Sequence, residues 1–229
     1  NVSNNIVNLE VNKIPKTISL NGTILVDKNL IFENEVKILP GTKFLIKPNK
    51  HIVFKRKVSA EGTKELPIIF KKNQKGDKPW GTVAIIGKGS KESILDNVIF
   101  QGGSGGNLNQ YKFLSMLSIH NSSDIKLSNS KFSFNELFDD TIHIIYSSNI
   151  LLKNIEIKNA YSDAIDIDIS SNVILKNVKI KDSKNDGVDF MESKAIIENL
   201  EVVNSQDKGV SIGENSDVII KNSIFKNNK

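Results

Sequence analysis

Near the C-terminus, four stretches lie under one another with almost every column keeping its chemical type: Asp140-Thr-Ile-His-Ile-Ile, Asp163-Ala-Ile-Asp-Ile-Asp, Asp186-Gly-Val-Asp-Phe-Met and Lys208-Gly-Val-Ser-Ile-Gly. Their starts fall 23, 23 and 22 residues apart. A fixed period of that size means stacked supersecondary units, none of which can bury its apolar face alone. Function in such a chain belongs to columns of residues rather than to isolated motifs.

A second feature keeps the same period. An Asn follows an apolar-polar pair at Asn97, Asn129, Asn154, Asn177, Asn199 and Asn222, with spacings of 32, 25, 23, 22 and 23. Stacked amides can donate to one another from rung to rung, which predicts a buried Asn ladder. The wide first interval contains Gln101-Gly-Gly-Ser-Gly-Gly-Asn-Leu-Asn109, which reads as an inserted mobile loop lying beside His120.

Within each unit, apolar and polar residues alternate over short runs, as in Ile150-Leu-Leu-Lys-Asn-Ile-Glu-Ile157, and no long window shows a 3.6-residue recurrence. A period near 22 residues then holds two or three short strands and their turns, which is one turn of a right-handed parallel β-helix. The Leu-x-x-Leu-x-Leu-x-x-Asn frame of leucine-rich repeats is absent. The expected fold class is all-β, a solenoid forming one elongated domain over residues 1–229.

The N-terminal part follows the same logic through Val36-Lys-Ile-Leu-Pro-Gly-Thr-Lys-Phe-Leu-Ile46, Ser59-Ala-Glu-Gly-Thr-Lys-Glu-Leu-Pro-Ile-Ile-Phe70 and Trp80-Gly-Thr-Val-Ala-Ile85. This order resembles the early coils of bacterial right-handed β-helix repeat proteins. The resemblance implies the fold and leaves activity open, because β-helices host lyases, hydrolases, epimerases, adhesins and passive spacers.

Composition narrows the partners. The formal charge is +5, and among 31 basic residues only Arg56 is an arginine. Such a balance favours an acidic polymer. Scarce Arg forks and 7% aromatic residues argue against nucleic acid. Lys as the solubilising residue of exposed strands is the plainer reading of the same charge. No apolar run approaches the roughly 18 residues of a membrane span. Cysteine is absent, so disulfides and thiolate metal sites are excluded. By analogy with similar repeat proteins, the expected location is secreted, periplasmic or cell-surface. The final Ile224-Phe-Lys-Asn-Asn-Lys229 lacks a polar cap, which predicts further coils or a partner at that end.

Chemistry follows from side-chain direction. In Ala164-Ile-Asp-Ile-Asp-Ile169 the isoleucines must face the core, so Asp166 and Asp168 point outward together. The same register gives two outward columns: Ser118, His143, Asp166, Asp189, Ser211, and beside it His120, Ile145, Asp168, Met191, Gly213. A corner column holds Asp140, Asp163, Asp186 and Lys208. Parallel strands lie about 4.8 Å apart, so these carboxylates become vertical neighbours whose repulsion must raise pKa values, recruit a cation or enlist His and Lys.

Three readings stand. Asp163, Asp166, Asp186, Asp189 and His143 could supply acid and base to a polysaccharide as a hydrolase, lyase or epimerase, with His120, Ile145, Met191 and Lys208 contacting substrate. Asp163, Asp166, Asp168, Asp186 and Asp189 also form a hard oxygen set suited to Ca²⁺, an optional rather than a required cofactor. In the third reading the corner Asp residues cap turn amides and the strand Asp residues are solvated, as in a structural or adhesive segment.

One part of the acidic face is similar to polygalacturonases, pectin-degrading β-helix enzymes. The matching runs are Ser162-Asp-Ala-Ile-Asp166, Asn185-Asp-Gly-Val188 and Asp207-Lys-Gly-Val-Ser-Ile-Gly213. The resemblance implies catalytic carboxylates at Asp163 and Asp186. Asn185 stands where that family has another Asp, Lys208 stands where it has His, and its later Arg-x-Lys motif is absent. Trp80 is expected to pack at a coil corner, and His51 to be an exposed strand residue away from the acidic face.

Overall fold

The computed structural model describes residues 17–229. Alternating Ile, Val and Leu build short strands that stack in parallel, coil on coil, into a right-handed β-solenoid. Eight strands form one wall: Leu30–Phe32, Ile52–Phe54, Val83–Ile86, Ser115–His120, Asp140–Ile145, Ile165–Asp168, Val188–Met191 and Val210–Ile212. A 14-stranded sheet supplies the rest of the barrel-like tube. Among the described residues, no helix is long and apolar enough to cross a membrane.

The larger sheet bends where its long strands carry a left-handed asparagine. In Ser123–Ser133, Ser148–Lys158, Ser171–Lys181 and Lys194–Val203, residues Asn129, Asn154, Asn177 and Asn199 have φ of 48°, 55°, 54° and 57°. Their short polar side chains tolerate that region better than other non-glycine residues do. Strand pairing skips these positions, so each Asn folds one strand across two walls. The predicted ladder exists: Asn154 donates to Asn129, Asn177 to Asn154 and Asn199 to Asn177, at 2.8, 2.9 and 2.9 Å. It is exposed rather than buried. The Asn residues are required by backbone conformation at an outer corner, not by satisfaction of a core amide.

Among the described residues, three further left-handed columns line the remaining corners, the first below joined from coil to coil by side-chain amides and the other two by backbone bonds. One contains Asp124, Asn149 and Asn172; another Phe134, Asn159, Asp182, Asn204 and Asn227; the last Asn121, Tyr146, Ile169, Glu192 and Asn215. Asparagine and aspartate predominate among them, with Phe134, Tyr146 and Ile169 as bulky exceptions.

Inside, equivalent positions stack on themselves. Phe44, Phe70, Phe100 and Phe132 lie ring on ring at centroid separations of 4.5, 5.0 and 4.6 Å, after which Ile157 and Ile180 continue the column. Apolar burial at about 25 cal/mol per Å² drives this assembly, and rung-to-rung identity keeps packing uniform. Buried serines form a polar counterpart. The amides of Ser122, Ser147 and Ser170 each donate to the hydroxyl of the serine one coil on, Ser147, Ser170 and Ser193.

The insert after Gln101 is not a bare loop. Gly106–Leu108 and Tyr111–Phe113 pair as an antiparallel hairpin, whose Leu108 and Phe113 bury against Val53, Ala84 and Ile86 on the outer surface of the eight-stranded wall. The hairpin does reach His120, as expected, because the Phe113 ring lies 5.7 Å from that imidazole. It also covers His51, which is 2% exposed and accepts the Thr82 amide at Nδ1, 3.1 Å away. The expectation of an exposed His51 is therefore overturned, the apolar underside of the hairpin being the cause. Trp80 is buried at its corner with Nε1 donating to the Gln101 carbonyl.

Candidate functional site

On the eight-stranded wall, the inward isoleucines Ile142, Ile144, Ile165 and Ile167 anchor a register that turns their neighbours outward. Strand pairing aligns Ser118 with His143, His143 with Asp166, Asp166 with Asp189 and Asp189 with Ser211. The adjacent column aligns His120 with Ile145, Ile145 with Asp168 and Asp168 with Met191. Both expected columns are present, save that Gly213 lies just past the last paired strand.

These side chains sit low on the wall. His143 Nε2 is 3.4 Å from Asp168 Oδ2 and 3.7 Å from Asp166 Oδ2. The His120 ring meets the His143 ring edge-on at a 5.0 Å centroid separation. Burial, with a lesser contribution from the neighbouring His143, holds the His120 imidazole down at a pKa of about 3, so it stays neutral. Burial raises Asp166 to about 7 despite the opposing pull of His143, with Asp168 and Asp189 adding to the rise. Asp166 therefore carries a proton for much of the time at neutral pH.

The corner carboxylates have a different task. Asp163 Oδ1 accepts the Asp186 amide at 2.6 Å and the Asn185 side-chain amide at 2.8 Å. Asp186 Oδ1 accepts the Lys208 amide at 2.7 Å. Each clasps the next coil, so the turn-capping reading is correct for Asp163 and Asp186, whatever else they do. Burial still raises both, Asp163 to about 6, because those hydrogen bonds only partly offset desolvation. Lys208 has an exposed side chain, 2.7 Å from Asp207 and 4.0 Å from Asp186. Gly187 is required beside this corner: a Cβ there would stand 2.5 Å from the Gly209 carbonyl oxygen.

Asp140 begins its strand, fully buried, without a hydrogen bond to its carboxyl. Desolvation and the charges of Asp166, Asp139 and Asp163 push it up to about 10. Sequence reasoning placed Asp140 in the corner column but gave it no part in the chemistry. The preceding turn is pinned to this strand start, the Asn135 side-chain amide donating to the Asp139 and Asp140 carbonyls.

Seven buried side-chain polar atoms lack a partner among the described residues, and five of them belong to this wall: His120 Nε2, Asp140 Oδ2, Thr141 Oγ1, His143 Nδ1 and Asp166 Oδ1. Unsatisfied buried groups are costly, so their concentration on one face marks it as something other than a solvated strand surface.

Among the described residues, two groups bring ligand atoms within 4.8 Å of one another: His143, Asp166 and Asp168, and separately Asp139, Asp140 and Asp163. The five-carboxylate set expected to bind Ca²⁺ is thus divided. Asp163 joins the corner group, Asp166 and Asp168 join the imidazole, and Asp186 and Asp189 belong to neither. Asp139, absent from that set, was concealed because it belongs to a turn rather than to the strand register.

A recess of about 510 Å³ opens beside the corner, lined in part by Lys112, Phe138, Asp139, Tyr161 and Lys184. Ile145 is half-buried and Met191 exposed, flanking Asp168 along their column.

Comparison with known proteins bears on the fold. A family model described as "Right handed beta helix region" matches residues 115–229. No curated protein sequence matches the chain. Among solved structures, the catalytic domain of a GH87 alpha-1,3-glucanase in complex with nigerose is similar, with 13% identity and a TM-score of 0.54 over 94% of this chain and 46% of that one. The alginate lyase of Paenibacillus sp. str. FPU-7 aligns at 16% identity over 82% of this chain and 70% of that one, with a TM-score of 0.43. The chain spans less than half the length of the glucanase domain. At such identities the likeness is one of architecture.

Proposed function

The chain belongs to the right-handed β-helix family, and from that premise we propose that the wall bearing His143, Asp166 and Asp168 binds and chemically modifies a polysaccharide in an exported protein. The observation that carries this reading is the gathering of unpartnered polar atoms on one wall, beside a carboxyl poised to hold a proton near neutrality. Asp166 is the proton donor and His143, steadied by Asp168, the acceptor. The architecture shared with polysaccharide-active β-helix enzymes supports the substrate class. Lys112 and Lys184 at the neighbouring recess and the exposed Lys208 favour an acidic chain.

The test is incubation with polygalacturonate, alginate and α-1,3-glucan. Released reducing ends, unsaturated sugar and altered uronate stereochemistry report hydrolysis, elimination and epimerisation respectively. Product from the native protein that disappears in Asp166→Asn supports the reading. Binding without product reduces it to a carbohydrate-binding wall, and neither binding nor product removes it.

A second reading, a cation-stiffened structural or adhesive segment, is favoured by one specific arrangement. Asp139, Asp140 and Asp163 offer hard oxygens within 4.8 Å of one another, and Asp140 Oδ2 lacks a partner. Calcium would then raise the melting temperature of the native protein but not of Asp139→Asn, with glycans having no effect.

A further inference from the structure

The left-handed column at the far edge of the site wall departs from asparagine on three consecutive rungs, and on two of them with a bulky side chain. Asn121 and Asn215 occupy its ends comfortably, but Tyr146, Ile169 and Glu192 hold φ of 53°, 44° and 49° between them. Left-handed geometry suits Asn and is a marked outlier for a bulky or β-branched side chain. The two bulky residues are also exposed, Tyr146 at 60% and Ile169 at 37%, so core packing does not explain the choice. Neighbouring columns show that asparagine is readily used in such places, as at Asn149 and Asn172. Bulky side chains kept in strained backbone at two adjacent exposed positions, where relief is one substitution away, are the pattern expected of a working surface.

Their location says what that surface meets. Tyr146 directly follows Ile145, and Ile169 directly follows Asp168, so the pair edges the column that contains His120, Ile145, Asp168 and Met191. The Tyr146 amide donates to the Asp168 carbonyl and the Ile169 amide to the Met191 carbonyl, which stacks the two residues on successive coils. Met191, 44% exposed, continues the apolar strip.

We propose that Tyr146 and Ile169 form a sugar-binding platform at the rim of the site wall, receiving the apolar face of a pyranose ring whose neighbour lies over His143 and Asp168. This rests on the reading of that wall as glycan-facing. The ring of Tyr146 supplies a rigid surface at small conformational cost, and Ile169 widens it by one coil. Specificity follows: a sugar unit with an equatorial, hydrocarbon-rich face suits the platform, and one carrying a charged group on that face does not.

The experiment is affinity electrophoresis through gels containing polygalacturonate, alginate or soluble α-1,3-glucan, with thermal melting in parallel, on the native protein, Tyr146→Asn, Tyr146→Phe and Ile169→Asn. Tyr146→Asn is expected to raise Tm by about 2–4 °C through relief of strain. It should also weaken retardation about fivefold to tenfold, as loss of one aromatic contact does. Tyr146→Phe should keep the retardation. Unchanged binding by Tyr146→Asn while the native protein is retarded overturns the platform alone, as does a fall in Tm. A native protein retarded by no gel takes down the platform together with the glycan reading beneath it.

Discussion

The carboxylate of Asp163 grips the backbone amide of Asp186 at 2.6 Å, so the turn that opens one coil is held by a side chain from the coil before it. A residue that resembles a catalytic acid by position is thereby committed to architecture through one of its two oxygens.

Separating the two roles of Asp163 is direct. Asp163→Ala leaves the Asp186 amide and Asn185 without their acceptor and should cost about 1–3 kcal/mol, read as a lower urea midpoint. Asp163→Asn keeps an acceptor oxygen and should fold nearly as well. Product formation lost in Asp163→Asn at unchanged midpoint would assign the second oxygen a chemical part.

Asp140 sets a pH dependence of definite sign. Its folded pKa, about 10, lies above its unfolded value, so between these limits the native state binds the extra proton and stability falls as pH rises. Below pH 7 the carboxyls of Asp163 and Asp166 and the imidazoles of His51 and His120 also contribute, with opposing signs. Above it Asp140 dominates. Melting between pH 7.5 and 9.5 should show a loss on the order of 1 kcal/mol per pH unit, and Asp140→Asn should flatten it.

Removal of the hairpin's main anchor should be felt at a distance from the backbone it covers. Phe113→Ala uncovers His51 and His120 and should destabilise by about 3–5 kcal/mol. In the native protein both imidazoles stay neutral, held at about 4 and 3, so they lend stability above pH 6.5 that disappears as pH falls towards those values. In Phe113→Ala an NMR titration should find His120 moved upward towards 6.5. An unmoved value would mean that the strand neighbours, not the hairpin, exclude water from it.

At the outer bend, Asn177→Ala should cost about 2 kcal/mol, combining loss of the amide bonds to Asn154 and from Asn199 with a left-handed backbone that Ala resists. Asn177→Gly should cost less, since it forfeits only the amides. Chemical denaturation of both variants measures the difference.

The register of the site wall was legible because Ile165 and Ile167 admit only one inward face, and a period-2 strand then dictates where Asp166 and Asp168 point. What surrounds the strands was not. His51 reads as an ordinary strand residue until the hairpin closes over it, and the pairing of Gly106–Leu108 with Tyr111–Phe113 is a local contact that no repeat announces. The Asn ladder was visible as a period, but its cause, a left-handed bend at an exposed corner, belongs to backbone geometry that side-chain patterns report only indirectly. For the same reason Tyr146 and Ile169 passed unnoticed, since their oddity is a dihedral angle. Asp139 escaped because it approaches Asp163 from a turn, outside the strand columns.

The clasp from Asp163 to Asp186 and on to Lys208 means that no single coil owns the constellation around His143. Excising one 23-residue unit would leave a solenoid able to close its hydrogen bonds while shifting every later carboxylate down a storey, opposite a different neighbour. Gain or loss of whole units in such a chain would therefore rewrite its chemistry in one step while sparing its skeleton.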